Sequence, residues 1–357
     1  MRAVRYHAPG DVRVEDIPEP EVRPGTVRVR VLGVFVSPST KRFLMGAPIP
    51  GYPLPPPPFT PGANTLGVVE AIGAGVEGFK EGERVYCDPF VTAPNVSGPT
   101  AGAFVGYFGF AADTAGLLAQ WPDGGFAEKA VFPAGCLTPL AGASSVDAPL
   151  LVRLGHFGTA YEAMRRGGYE AGGRVIVTGA TGILGVCTVM LALAMGASSV
   201  YALGRRTDVL ARLVGLSPKR VVAVEANGKP EEEYRVIAAC GGADILVECL
   251  GPGADTTMVR QAILALRRGG QAVLVGGPAG DVRLSYNEYL SRELTVRGSA
   301  WFPRWVPRVV LRLIGAGAID MAPLSARRFG IPDIHKAMDA AIAPDRAAGF
   351  EHVALVP

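Results

Sequence analysis

Hydrophobic and polar positions along the chain follow two regimes. In the first, apolar residues alternate with polar ones. Val27-Arg28-Val29-Arg30-Val31 sets three valines against two arginines, the period-two pattern of a half-buried strand. The chain enters a strand at once with Met1-Arg2-Ala3-Val4-Arg5-Tyr6, and Gly67 to Gly73 and Glu83 to Tyr86 are further strands, with Gly75, Gly82 and Pro89 as punctuation. In the second regime, from Arg174, the apolar runs are nearly continuous and alternate with segments of helical period. Strands are predicted at Arg174 to Thr178, Ser199 to Leu203, Arg220 to Val224, Asp244 to Cys249, Gln271 to Val275 and Leu294 to Arg297. Helices are predicted at Val186 to Met195, Asp208 to Leu213, Pro230 to Cys240 and Thr256 to Leu266. Continuous apolar strands alternating with helices suit an α/β, doubly wound parallel sheet of six strands. Two helices, Arg308 to Gly315 and Ile334 to Ile342, and a last strand, His352 to Val356, end the chain.

Two stretches fit neither regime. Ala47 to Gly62 holds Pro48, Pro50, Pro53, Pro55 to Pro58 and Pro61 and favours extended polyproline backbone, either as a rigid surface loop or as part of a substrate wall. Ala93 to Gly125 is long, rich in Gly and Ala, and carries Phe104, Tyr107, Phe108, Phe110 and Trp121. Long ordered loops of this kind often line sites.

Composition narrows the class. With 357 residues, 49% hydrophobic and 19% charged, the chain is long enough for two cores and too apolar for disorder. A net charge of +3 is too small to point to nucleic acid or a membrane surface. Neither a signal peptide nor an apolar run of bilayer length is visible. The cysteines (Cys87, Cys136, Cys187, Cys240, Cys249) are scattered and odd in number, against a full disulfide framework. A cytoplasmic location is expected.

The chemistry begins where the strand Arg174 to Thr178 runs into Gly179-Ala180-Thr181-Gly182-Ile183-Leu184-Gly185 and then into a helix. Strand, glycine turn and helix form the dinucleotide-binding arrangement, although the spacing is G-x-x-G-x-x-G and not G-x-G-x-x-G. The turn brings backbone close to a pyrophosphate, and the helix amides and dipole attract it. Roughly 20 residues on, an NAD site carries an acidic residue on the ribose hydroxyls. This chain has Gly204-Arg205-Arg206 there. Guanidinium groups bind a 2′-phosphate bidentately, so the pair predicts NADPH. The bland alternative is a solvated charge pair at a strand end.

Several segments together resemble the medium-chain dehydrogenase/reductases, a superfamily of zinc alcohol dehydrogenases and zinc-free quinone and enoyl reductases. Pro61 to Val76 (PGANTLGVVEAIGAGV) is similar to the stretch around that family's metal-binding histidine, and Asp123 to Ala130 to its following strand entry. Gly158-Thr159-Ala160-Tyr161 resembles the hinge into the cofactor domain, and Gly269 to Gly277 the fifth Rossmann strand. The resemblance spans nearly the whole chain. It implies a β-rich GroES-like catalytic domain at 1–153, an NADP-binding Rossmann domain at 154–297, and the rest of the catalytic domain at 298–357. By analogy it also implies a homodimer paired along the sixth strand and a small-molecule substrate; from the small net charge, no nucleic-acid or membrane partner is expected.

The departures from the family are specific. Zinc members carry a cysteine after the Gly-Val pair ending the second strand, where this chain has Gly33-Val34-Phe35. Their Gly-His-Glu is here Gly62-Ala63-Asn64, and the third ligand position falls at Gly155. Phenylalanine, alanine and glycine offer zinc no lone pair, and His156 beside the third position is a single imidazole, read as a packing or cofactor-edge residue. The four-cysteine structural lobe has no counterpart between Cys87 and Cys136. The expectation is therefore that neither zinc site exists.

Without a metal, hydroxyls must stabilise the oxyanion. Ser37 falls at the family's proton-relay hydroxyl and Thr40 at its relay histidine. The alternative for Ser37 is turn chemistry before Pro38. Tyr107 is a further donor candidate. Thr159 matches a residue packed on the nicotinamide. Leu250 and Gly251, and Val275, Gly276 and Gly277, fall at strand carboxyl ends, where such sheets bind cofactors. Trp301, Phe302 and Trp305 are candidates for the pocket wall or for core. Three functions stay open: a zinc-independent, NADPH-dependent reductase of an enone, enoyl thioester or quinone C=C bond; a zinc-free, NADP-dependent alcohol dehydrogenase or carbonyl reductase; and a non-catalytic NADPH-binding protein.

Overall fold

A computed structural model describes residues 1–46, 51–93, 102–143, 145–343 and 348–357. Most of the proline run (from Gly51) and of the long loop (Ala93 and from Gly102) is therefore described, while 47–50 and 94–101 lie outside the described residues. The chain divides into two units. Of the described residues, 1–155, 324–343 and 351–357 form the first, and 156–323 with 348–350 form the second.

In the first unit the strand Thr26–Val36 is the spine of a sheet. Thr65–Ile72 pairs along one side of it, and Arg84–Cys87 and Leu137–Pro139 follow outward. Its other side is shared: Lys129–Pro133 pairs with Thr26 to Arg30, and Glu351–Leu355 with Val34 to Val36. These pairings are antiparallel, while Ser325–Phe329 runs parallel to Glu351–Leu355 at the edge. The expected alternation appears where predicted. Val27, Val29 and Val31 are buried, while Arg28 turns out to an ion pair with Glu70 at 2.9 Å. After Val31 the register shifts against Thr65–Ile72, and Val34, Phe35 and Val36 are all buried. A bulge of this kind re-aims the residues beyond it; here it brings Phe35 to hydrogen-bond, through its amide, the carbonyl of Asn64 (3.3 Å).

The second unit holds a six-stranded, wholly parallel sheet in the order Val221–Glu225, Ser199–Gly204, Arg174–Thr178, Ala243–Glu248, Leu266–Leu274, Thr295–Gly298. All six predicted strands are present, shifted by a residue or so at their ends, except that the fifth starts five residues early. The order reverses between Arg174–Thr178 and Ala243–Glu248, and such a switch point opens a crevice at the strand carboxyl ends. The predicted helix from Pro230 to Cys240 is instead two short ones, Pro230–Glu233 and Arg235–Ala239. The break has a local cause: the buried Glu233 carboxylate turns back to accept the amides of Asn227, Gly228 and Lys229 at 2.8–3.0 Å. The unit also continues past 297 to Pro323. It takes in the helix Val306–Gly315, whose Val306, Val310, Leu311 and Ile314 are buried, and Phe302, whose ring lies where a Cβ on Gly158 would stand (2.7 Å).

Candidate active site

The glycine turn is built as its spacing implies. Gly179 has φ +60°, and a Cβ there would lie 2.6 Å from the Cys249 carbonyl oxygen, so a side chain is excluded twice over. Gly182 caps the helix Ile183–Ala194 with extended backbone. The first intrahelical bond is Val186 N–H to the Gly182 carbonyl (2.9 Å). The amides of Ile183, Leu184 and Gly185 therefore precede the ladder, as an anion site at a helix start requires. The Thr181 carbonyl is engaged by the Gly349 amide at 2.9 Å, which ties the 348–350 turn to this loop.

Gly204 ends the next strand, and a Cβ on it would meet Thr181 Cγ2 at 2.4 Å. No carboxylate can stand at that strand end, as the sequence reading requires. The two arginines beyond it are not equivalent. Arg205 is exposed and has no ion pair among the described residues. Arg206 is half-buried and bonded to Asp208, Nε to Oδ1 at 3.2 Å and Nη2 to Oδ2 at 2.7 Å. That hydrogen bond holds the Asp208 carboxyl below its usual range and the guanidinium above its own. Part of the positive charge read from the Arg-Arg pair is thus answered locally by a carboxylate two residues on.

At the carboxyl ends of the middle strands the structure reveals a residue that sequence reading passed over. Glu248 is 1% exposed. One carboxylate oxygen accepts the Leu250 amide at 2.5 Å and the other the Gly276 amide at 3.1 Å. One side chain thereby ties the Leu250–Gly251 segment to the Val275–Gly277 segment, both expected at the cofactor. Burial pushes its carboxyl up, and the two backbone donors pull the other way. The signal was an acidic residue closing the apolar run Ile245-Leu246-Val247. Thr159, on the helix Leu154–Arg166, is buried in the same unit. Phe302 stacks on Trp301 at 4.4 Å, while Trp305 is half exposed and meets Tyr161 edge-on at 6.0 Å.

In the first unit two of the positions that the resemblance matches to metal ligands, Asn64 and Gly155, lie against each other. Asn64 adopts left-handed backbone (φ 55°) and is buried to 8%. Its Oδ1 accepts the Tyr86 hydroxyl at 2.6 Å. A Cβ on Gly155 would fall 2.1 Å from that same oxygen, so the Asn64 carboxamide fills the space a ligand side chain at 155 would need. Phe35 is buried, with its ring 5.9 Å from that of His352. The donor set at 35, 63, 64 and 155 is a phenyl ring, a methyl, an amide already hydrogen-bonded, and no side chain. These residues do not fit zinc. Among the described residues no group of three or more His, Cys, Asp or Glu is arranged to hold a metal ion.

Of the three hydroxyls singled out, two come together. Thr40 is buried at the start of the helix Thr40–Met45 and faces the Tyr107 phenol. Burial pushes the Tyr107 phenol up to about 12, with Thr40 drawing it down more weakly. Its ring packs on Phe43 at 4.1 Å, within a cluster containing Phe104, Phe108 and Phe110. Such a phenol is a neutral donor at any ordinary pH. Ser37 differs: its Oγ accepts the Ser39 amide at 3.1 Å, the turn contact foreseen as its alternative.

Two family models match the chain: an alcohol dehydrogenase GroES-like domain over residues 23–142 and a zinc-binding dehydrogenase domain over 184–315. (R,R)-butanediol dehydrogenase of Bacillus subtilis (strain 168) is 27% identical over 352 residues, with 94% of each chain covered. Sorbitol dehydrogenase of Homo sapiens is 26% identical over 340 residues, covering 94% of this chain and 90% of that one. The crystal structure of 2R,3R-butanediol dehydrogenase from Bacillus subtilis superposes with a TM-score of 0.81 at 24% identity, over 100% of this chain and 99% of that one.

Proposed function

We propose that this chain, which its two matched domains make an oxidoreductase of the medium-chain, zinc-type alcohol dehydrogenase family, works without zinc and with NADPH, passing hydride to an activated C=C bond of an enone, enoyl thioester or quinone. The observation that carries the reading is the Asn64 carboxamide seated against Gly155, in the space a third metal ligand would use. A carbonyl reduced directly gathers the charge of the resulting alkoxide on one oxygen, which a zinc ion meets in a metal-dependent enzyme. Conjugate reduction spreads the charge over an enolate, so hydrogen-bond donors suffice.

The glycine turn fits a dinucleotide. The amides of Ile183 and Leu184, with Gly179, Thr181 and Gly182, would hold the pyrophosphate. Arg205 would take the 2′-phosphate, with Arg206 behind it. Leu250, Gly251, Val275, Gly276, Gly277 and Thr159 would border the nicotinamide, which supplies the hydride. The chain's own contribution is to orient that ring through the loops Glu248 ties together, and to present the Tyr107 phenol, backed by Thr40, as a neutral donor. A homodimer is part of the same reading. It is supported by the edge position of Thr295–Gly298 and by the adjoining helix Tyr286–Arg292, which buries no residue and leaves Tyr286 83% exposed; sedimentation velocity reads it.

The test pairs cofactors and acceptors. Purified protein is assayed with NADPH and with NADH on an enone and on its saturated ketone, before and after chelation, with metal content measured. NADPH-linked, chelator-insensitive reduction of the enone supports the proposal. Zinc near one per chain, or activity lost on chelation and restored by zinc, overturns it. Preference for the ketone favours the second reading, a zinc-free, NADP-dependent carbonyl reductase or alcohol dehydrogenase, toward which the names of the butanediol and sorbitol dehydrogenases lean.

A further inference from the structure

If no metal meets the charge on the substrate oxygen, another group must. We infer that the side-chain amide of Asn64, held in place by Tyr86, is an oxyanion donor of this enzyme in addition to the Tyr107 phenol. The inference rests on the reductase reading above and adds to it a residue that neither the hydroxyl candidates nor the family pattern supplies.

Three segments fix the amide. The left-handed backbone at Asn64 is one that asparagine tolerates better than most residues. The carbonyl of Asn64 accepts the Phe35 amide, which pins the main chain to the neighbouring strand. Tyr86, fully buried on Arg84–Cys87, donates its hydroxyl to Oδ1 at 2.6 Å. Burial pushes that phenol well above its ordinary value, so it stays protonated and keeps donating. With the oxygen engaged, the two N–H groups on Nδ2 point elsewhere. A Cβ on Gly155 would lie 2.9 Å from Nδ2, so the donor stands over a residue with no side chain. Nδ2 has no hydrogen-bond partner among the described residues. The side chain is held at 8% exposure with its oxygen engaged, and the N–H groups that the described residues leave open are the donors a ligand oxygen would meet.

The step balances without a metal. With NADPH bound, its hydride would form the C–H bond at the β-carbon. The C=C pair moves to the α-carbon–carbonyl bond, and the carbonyl π pair moves to oxygen. Asn64 donates hydrogen bonds to that enolate oxygen and transfers no proton. Solvent water would then protonate the α-carbon, leaving NADP⁺, the saturated ketone and hydroxide, which solvent takes up.

Asn64→Asp is the informative substitution. It keeps the side-chain shape, the tolerance for left-handed backbone and an oxygen for Tyr86, and replaces the N–H pair by a carboxylate oxygen. With cyclohexenone, kcat is expected to fall about 10²–10³-fold, the range for losing an oxyanion donor. The NADPH dissociation constant, read by nucleotide fluorescence, stays within about twofold if the role is oxyanion binding and not cofactor binding. Nitrophenolate, an enolate mimic titrated against the NADP⁺ complex, is expected to bind at least about tenfold more weakly. Tyr86→Phe removes only the positioning bond. It should lower kcat about tenfold with little change in KM, and it tests the idea independently if Asn64→Asp folds poorly by thermal melting. Turnover and nitrophenolate binding like wild type in folded Asn64→Asp, or in Tyr86→Phe, overturn the inference and leave the reductase reading standing. Wild-type protein that reduces neither enone nor ketone overturns both.

Discussion

The two units carry their functions in different ways. In the second, function lies in backbone: a glycine with φ +60° pressed against a neighbouring carbonyl, a helix start with amides ahead of its ladder, and strand ends joined by Glu248. In the first, the candidate chemistry depends on residues that meet from positions far apart in sequence: the Asn64 side chain with Tyr86 and the bare backbone of Gly155 around one spot, Thr40 and Tyr107 around another. Backbone function survives wide sequence divergence because glycines and apolar runs suffice to build it. Side-chain chemistry changes when a few residues change, and Phe35, Ala63, Asn64 and Gly155 stand where the resemblance places metal ligands. The contrast teaches where to strike each unit: at one glycine or one brace in the second, and at pairs of touching residues in the first.

The largest effect is expected at that touching pair. Gly155→Ala starts a side chain 2.1 Å from Asn64 Oδ1, and overpacking of this kind costs about 1–3 kcal/mol. A zinc-binding cysteine grafted at 155 begins with the same carbon and meets the same obstacle. In an Asn64→Gly background the obstacle is gone, so the alanine should be nearly neutral. The double-mutant cycle, read by urea unfolding, is expected to give a coupling of about 1.5 kcal/mol. Additive effects would mean that Asn64 does not fill the space beside Gly155.

The brace in the second unit gives a pH-dependent prediction. Burial raises the Glu248 carboxyl in the folded state, so folding favours its protonated form. Stability from this group is therefore full below the ordinary carboxyl value, about 4.3, and is lost as pH rises through the raised value. Glu248→Gln cannot ionise and lacks that slope. It also sets an amide N–H₂ against a backbone N–H, a mismatch of about 1–3 kcal/mol. The variant should be less stable than wild type near pH 4.5, with the gap narrowing toward pH 8, and should bind NADPH more weakly throughout. A gap that widens with pH would mean that the ionised carboxylate is the form the fold prefers.

These targets differ in how far the sequence discloses them. The six-stranded sheet was legible because parallel strands buried on both faces are almost wholly apolar and helices intervene at regular lengths. The glycine turn was legible because only glycine fits it. Glu248 was missed because nothing local marks an acidic strand end as braced against a loop 28 residues on. The break at Tyr234 was missed because a helical period cannot reveal that Glu233 has folded back on its own loop. Asn64 was noted for what it replaces and not for what it does, since its partner Tyr86 is supplied by another strand. The Arg205-Arg206 pair was read as two like charges, although Asp208 lies two residues away.

That last point sharpens the cofactor reading into a ranking. Arg205 is exposed and without an ion pair among the described residues, whereas Arg206 is held by Asp208. Arg205→Ala should therefore weaken NADPH more than Arg206→Ala does, about tenfold against a few-fold, with NADH nearly unaffected by either. Asp208→Asn should act in the opposite direction, releasing Arg206 and removing an anion near the phosphate, for a gain of roughly twofold to threefold in NADPH affinity at low salt. Both effects shrink in 0.5 M salt if they arise from exposed charge. Fluorescence titrations of the three variants with each nucleotide decide it. Equal losses for NADPH and NADH would mean that the arginines contact the adenosine or the shared pyrophosphate, and that the 2′-phosphate assignment is wrong.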